Sequence, residues 1–136
     1  MTIIQPLTIN LEHTKLVIRN DRIIQINSTD RTYDVEDIYV ILKAVDELTD
    51  NQKVLLLFIA SDYTLINNDA IKFLSTPEAG LNSIAKAFVI KSLSQRLLLN
   101  FLIKVNGTPV PVNFFNEINL AVTWLAGFKN ENVRSQ

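Results

Sequence analysis

Apolar and polar positions along the chain fall into segments of two different periods. Within Thr8 to Arg19, Leu16 and Ile18 alternate with Lys15 and Arg19, with Val17 between, and Arg22 to Asn27 repeats the theme with Ile23, Ile24 and Ile26. Such alternation suits strands with one buried face. Asn20-Asp21 lies between the runs and tolerates positive φ, so the pattern predicts an antiparallel hairpin closed by a two-residue turn. The period then changes. After Asp34, a natural helix cap, Val35, Ile38, Ile41, Leu42, Val45 and Leu48 recur at steps of three and four, which predicts an amphipathic helix of about four turns ending at Thr49-Asp50-Asn51.

The stretch KVLLLFIASDYTLINNDAIKFL, Lys53 to Leu74, forms the centre of the chain. Val54 to Ile59 is apolar without alternation, as in a strand covered on both faces. Ala60 to Ile66 turns polar and reads as a surface connection. Asn67 or Asn68 then caps a second helix, with Asp69 at the positive end of its dipole. Thr76-Pro77 stops that helix, because the residue before proline is pushed out of the helical region, and Pro77 to Leu81 reads as a loose turn. From Ser83 the run Ile84, Ala85, Ala87, Phe88, Val89, Ile90 predicts another buried strand. Ser92 or Ser94 caps a third helix, SLSQRLLLNFLIKV. Pro109 to Phe115 is a short last strand whose prolines place it at a sheet edge. Asn116 caps the final helix, with Ile118, Ala121, Val122, Leu125 and Phe128 on one face and Gly127 near its end. Strands alternating with helices imply an α/β fold with a mostly parallel sheet and about four helices.

Composition narrows the function classes. At 136 residues the chain has room for one domain, expected over residues 1–128, with a polar, frayed tail over 129–136. The apolar content of 48% and charged content of 20% are those of a globular protein rather than a disordered one. A formal net charge of −1, without blocks of like charge, gives no footprint for nucleic acid or an anionic membrane surface. The absence of cysteine excludes disulfides, cysteine-ligated zinc and thiol catalysis, and fits a reducing compartment. The start, MTIIQPLTINLEH, lacks a basic segment followed by a continuous apolar one, so no signal peptide is expected. No apolar run approaches the ~20 residues that span a bilayer, so stable membrane insertion is not expected. A cytoplasmic location follows.

The central stretch, followed by SIAKAFVIKSLSQRLLLNFLIKVNGTPVPVNFFNEINLAVTWL, resembles the small bacterial domains grouped as SpoIIAA-like or STAS/SEC14-like. The resemblance runs from about Thr14 to Phe128. Its marks are a long apolar helix after the fourth strand, a short strand with prolines, a Phe-Asn step and a final helix carrying tryptophan. It implies a β-α superhelix with an antiparallel first strand. In the anti-sigma-factor antagonists of this group, a serine in an Asp-Ser-Ser-Gly motif at the start of the second helix is phosphorylated by a partner kinase. The corresponding positions here are Asn67, Asn68, Asp69 and Ala70. The resemblance therefore implies the fold without that switch.

Candidate chemistry is sparse. His13, the one histidine, has no titrating partner near it in sequence, and reads as an ordinary strand-edge residue. Ser61, Asp62, Asn67, Asn68 and Asp69 are placed to surround a small ligand at the strand ends, though such residues commonly just terminate and cap elements. A metal or hydrolase site at Asp62 and Asp69 needs further ligands, for which only Glu78 and Glu117 offer themselves. No catalytic, cofactor or metal residue is assigned, and a non-enzymatic role is expected. The third helix stands out. Leu93, Leu97, Leu98, Leu99, Phe101, Leu102, Ile103 and Val105 spread over more than half its circumference at about 100° per residue, wider than one core-facing stripe. Three coverings remain open: neighbouring elements of the same chain, a second copy or other protein across Leu97, Leu98, Leu99, Phe101, Leu102 and Ile103, or an apolar ligand such as a lipid, which the SEC14-like side of the resemblance implies. Arg96 and Lys91, with the free N–H groups at the start of this helix, are placed to hold an anion, while a solvated, unpaired role for both is the simpler reading.

Overall fold

The computed structural model of the protein describes residues Leu7 to Lys129. Residues 1–6, at the expected leaderless start, and residues 130–136, most of the expected tail, lie outside the described residues. Among the described residues a six-stranded sheet has the order β1-β2-β3-β5-β7-β8. Its strands are β1 (Leu7–Asn10), β2 (Thr14–Ile18), β3 (Ile23–Ser28), β5 (Val54–Ile59), β7 (Ser83–Val89) and β8 (Val112–Phe115). The first two pairings are antiparallel and the remaining three parallel, in agreement with the expected mixed α/β sheet. A second, two-stranded parallel sheet pairs β4 (Thr32–Tyr33) with β6 (Leu65–Ile66).

The hairpin is real, but its arms and turn differ from expectation. The stretch Thr8 to Arg19 contains two strands, because the chain turns at Leu11 to His13 and β1 pairs back on β2. The β2–β3 loop is longer than two residues. Arg19 N–H donates to Ile23 O at 3.0 Å, and the positive φ of 68° falls on Arg22 rather than on Asn20 or Asp21. Asp21 instead accepts hydrogen bonds from the Arg19 guanidinium and the Ile23 N–H.

Helix α1 (Val35–Thr49) starts and stops as its sequence dictates. Asp34 and Asp37 close a capping box in which each carboxylate accepts from the other's backbone N–H at 3.0 Å. Asp50 and Asn51 at positive φ end it. Ile38, Ile41, Leu42 and Val45 form the buried stripe. Helix α2 (Asn68–Leu74) is capped by Asn67, whose Oδ1 accepts from Ala70 N–H at 2.9 Å. Pro77 to Leu81 is not a loose turn. Thr76 caps a one-turn helix α3 (Pro77–Gly80), in which proline occupies a first-turn position that needs no N–H donor. Five helices therefore stand among the described residues where about four were expected. The connection Ala60 to Ile66 likewise carries β6, which follows from its partner β4 being far away in sequence. Only Val112–Phe115 of the Pro109–Phe115 run pairs, and β8 is an edge strand as the prolines predict. The cap of α5 (Ile118–Ala126) is Glu117, not Asn116, and its side chain makes no capping hydrogen bond.

The sheet is covered on both faces, which explains the unbroken apolar run of β5. On one face Leu56, Phe58 and Phe88 pack with Ile38, Ile41 and Val45 of α1, Ala70 and Leu74 of α2 and Ala79 of α3. The parallel register aligns Phe58, Phe88 and Phe114 in one row, with ring centroids 4.5 and 5.3 Å apart. On the other face Leu55, Leu57, Ala85, Ala87 and Val89 meet Ala121 and Leu125 of α5, flanked by Trp124. Helix α4 (Leu93–Asn106), capped by Ser92, contributes no buried residue. Among the described residues no helix is long and apolar enough to cross a membrane.

Candidate functional site at the strand ends and under the fourth helix

The loop after β5 is held by hydroxyl groups. Thr64 is buried, and its Oγ1 donates to Thr29 O at 2.8 Å, accepts from Ser61 N–H at 2.9 Å and lies 2.9 Å from the Ser28 hydroxyl. Ser61 Oγ bonds to Asp30 Oδ1, which also accepts from Tyr63 N–H at 3.1 Å. Ser61 and Thr64 thereby tie the β3–β4 loop to the β5–β6 loop at the carboxyl ends of the strands.

An open groove of about 790 Å³ lies beside this network. Ile59, Ala60, Val89 and Ile118 give it apolar lining, and Asp30, Asp62, Glu117 and Lys91 bring its charges. Lys91 Nζ stands 4.0 Å from Asp62 Oδ1, and both side chains are largely exposed, so the pair is weak and solvated. Three carboxylates against one ammonium make the groove unfavourable for an anion. Arg96 corrects the expectation of a solvated, unpaired residue. Its Nη1 donates to Ile90 O at 2.6 Å and Lys91 O at 2.8 Å, fastening the start of α4 to the end of β7.

The five loop residues singled out in the sequence do not converge. Ser61 and Asp62 line the groove, Asn67 is spent on capping α2, and Asp69 sits exposed in the first turn of that helix. Asn68 lines a separate cleft of about 160 Å³ between α2 and α4, together with Gln95, Leu98 and Leu99. Glu117 shares the groove with Asp62, whereas Glu78 belongs to the first turn of α3. Among the described residues no three histidine, aspartate or glutamate side chains gather to hold a metal ion. Against the expectation of no titrating neighbour, the adjacent Glu12 brings its Oε1 to 3.6 Å from His13 Nε2, and the carbonyl of His13 accepts from the Tyr33 hydroxyl at 2.8 Å, as befits a turn residue.

Helix α4 divides by face. Leu99 and Ile103 point to the sheet, where they line a void with Phe88, Phe114 and Lys86. Leu102 is half-buried. Leu97, Leu98 and Phe101 face outward with Leu93 and Val105, and these five are between 57% and 66% exposed. The outward stripe is therefore narrower than the six residues expected at the contact, and it extends to both ends of the helix. Sequence patterning passed over Lys86. It sits in the middle of β7, 1% exposed, and its Nζ donates to Ala79 O at 2.7 Å. Burial pulls its pKa down to about 8. The available signal was the single charge in the apolar run SIAKAFVI.

Comparison with known proteins bears on the fold. A solved structure of an uncharacterised protein from Shewanella loihica PV-4, of the DUF3478 family and described as having a SpoIIAA-like fold, superposes with a TM-score of 0.53. Identity is 12%, and the match covers 88% of this chain and 91% of that one, a similarity of fold. No curated protein matches significantly. A family model described as a domain of unknown function (DUF7793) matches residues 16–129. The chain thus has a SpoIIAA-like fold, and it belongs to the DUF7793 family.

Proposed function

We propose that the protein is a non-enzymatic cytoplasmic interaction domain that works as a homodimer through the outer face of α4. One observation carries the reading: five large apolar side chains, Leu93, Leu97, Leu98, Phe101 and Val105, stand more than half exposed along one helix. Contiguous apolar surface of this kind mostly marks an interface. Leu65 is exposed too and lines the α2–α4 cleft with Leu98, which widens the patch. The five side chains are apolar, with the exposed Lys104 the one charge among them along the helix, and a two-fold axis across α4 sets like against like, as in closed homodimers. Where relatives by resemblance carry a phosphoserine, Asn67 is engaged in capping α2, so control by phosphorylation at that place is not part of the proposal.

Size exclusion with light scattering tests it. The wild-type chain is expected at dimer mass, and Leu98→Asp with Phe101→Asp is expected at monomer mass with unchanged far-UV circular dichroism. A wild-type chain that is strictly monomeric and soluble at tens of micromolar sinks the reading. A second function, binding of a small apolar ligand, is favoured by a different observation, the voids between α4 and the sheet.

A further inference from the structure

The cleft between α2 and α4 opens onto the bare side of the helix. Leu65, Ile71, Leu98 and Leu99 line its volume of about 160 Å³, with Asn68 and Gln95 beside them, and among the described residues no charged side chain takes part. Leu65 and Leu98, 49% and 57% exposed, belong both to this lining and to the outer apolar surface, so the cleft and the stripe are continuous. The chain does not fill the space itself. Phe101, about one turn beyond Leu98 on the same helix, is 62% exposed and faces outward.

Three considerations join that ring to that cleft. The first is size: an apolar cavity of about 150 Å³ takes up a benzene ring, and Phe101 is the one aromatic among the five bare side chains. The second is symmetry. In a closed dimer the surface that one copy presents must fit the same surface on the other, so a projecting ring and the hole that receives it must both belong to one chain. Here they stand about a turn apart on one helix. The third is area, since stable interfaces commonly bury about 800 Å² on each partner, more than a single stripe along a helix about 21 Å long provides. Entry into the cleft brings α2 and β6 into the contact through Ile71 and Leu65.

We propose that each copy of the homodimer inserts Phe101 into the α2–α4 cleft of the other, so that two reciprocal ring-in-cleft contacts hold the pair. The inference rests on the homodimer reading and adds to it the anchoring residue and the site that receives it. Insertion removes apolar area from water on both chains and supplies contacts to side chains that have none on that side in the single copy. An aromatic anchor in a pocket carries a large share of the binding in many interfaces, while the residues around it mainly exclude water. Leu93 and Val105, at the two ends of the helix, take that lesser part. An aliphatic side chain in place of the ring leaves part of the cleft empty, so the contact depends on the ring and not on hydrophobicity alone.

The test uses the full chain. In a wild-type dimer of one isotope-labelled and one unlabelled copy, nuclear Overhauser contacts are expected between the Phe101 ring of one chain and the Ile71 methyls of the other. Their absence from a dimer overturns the insertion and leaves the homodimer reading standing, as does uptake of benzene by the dimer at the Ile71 methyls, which would show an empty cleft. Sedimentation of variants gives an independent measure. Phe101→Leu is expected to weaken dimerisation at least tenfold and Leu93→Ala less than threefold; equal losses overturn the proposal. Gln95→Trp, which closes the mouth of the cleft with a ring of the same chain, is expected to weaken it as Phe101→Leu does, with unchanged far-UV circular dichroism. An equimolar mixture of these two variants restores one ring and one open cleft, and is expected to associate more tightly than either alone. A mixture no tighter than its components overturns the insertion, and a wild-type chain that is strictly monomeric overturns both it and the homodimer reading.

Discussion

A lysine at the centre of a buried strand sets a measurable free-energy term. Folding carries Lys86 from water, where its pKa is about 10.5, into a site where burial brings it to about 8. Below pH 8 both states keep the proton and the folded state bears the whole cost of the buried charge. Between about pH 8 and 10.5 the unfolded chain binds more protons than the folded one, so stability rises with pH. The full gain is of the order of 3 kcal/mol. Denaturant midpoints from pH 7 to 10.5 are expected to climb for the wild-type chain relative to Lys86→Met, and parallel curves for the two would refute the assignment. Alternation puts Lys86 on the same sheet face as Phe88, two residues on, but β7 is buried on both faces, so the pattern did not single the lysine out. That no carboxylate among the described residues pairs with it could not be read from the sequence, because its surroundings come from α3, α4 and β8. The same distinction applies at the strand ends. Asn67 is recognisable as a cap from its own four residues, while the bonds from Ser61 and Thr64 to Asp30 and Thr29 join segments about thirty residues apart.

Among the elements, the aromatic row across β5, β7 and β8 binds the parallel half of the sheet into one layer. Phe88 occupies its middle, stacked on Phe58 at 4.5 Å and on Phe114 at 5.3 Å. Phe88→Ala removes both contacts and adds space to a region already lined with voids, and is expected to cost about 3–5 kcal/mol by denaturant titration. A loss below about 1 kcal/mol would show that the row is not load-sharing. The positions of α1, α2, β5 and β7 follow from periodicity and caps, which operate within about four residues. The elements that escaped, β1, β4, β6 and α3, have 4, 2, 2 and 4 residues, too few to show a period. β4 and β6 exist because each supplies the other's backbone partners. The cap of α5 was misplaced by one residue for a related reason: Glu117 takes the extended cap conformation without using its side chain, so side-chain preference pointed to Asn116.

At the scale of the whole molecule, β5 and β7 belong to both buried layers, with Phe58 and Phe88 on one face and Leu57 and Ala87 on the other. Neither layer survives loss of the strands they share, so the described domain is expected to unfold as one unit. Trp124, the single tryptophan, packs against Phe115 and Phe128 on the α5 side, whereas α1, α2 and α4 lie on the other. Tryptophan fluorescence and far-UV circular dichroism are expected to give coincident denaturation curves, and separated midpoints would show that the faces come apart independently. The sequence by itself determined the α/β class, the principal strands and helices, the edge position of β8 and the excess of apolar surface on α4, because each is written in spacings and caps within one or two turns of chain. Only the tertiary structure decided which side of α4 meets the sheet, that Leu97, Leu98 and Phe101 are left bare while Leu99 and Ile103 turn inward, that the loop residues after β5 do not converge, and that Lys86 is buried against the carbonyl of Ala79. These depend on where residues distant in sequence come to rest, and no local period records that.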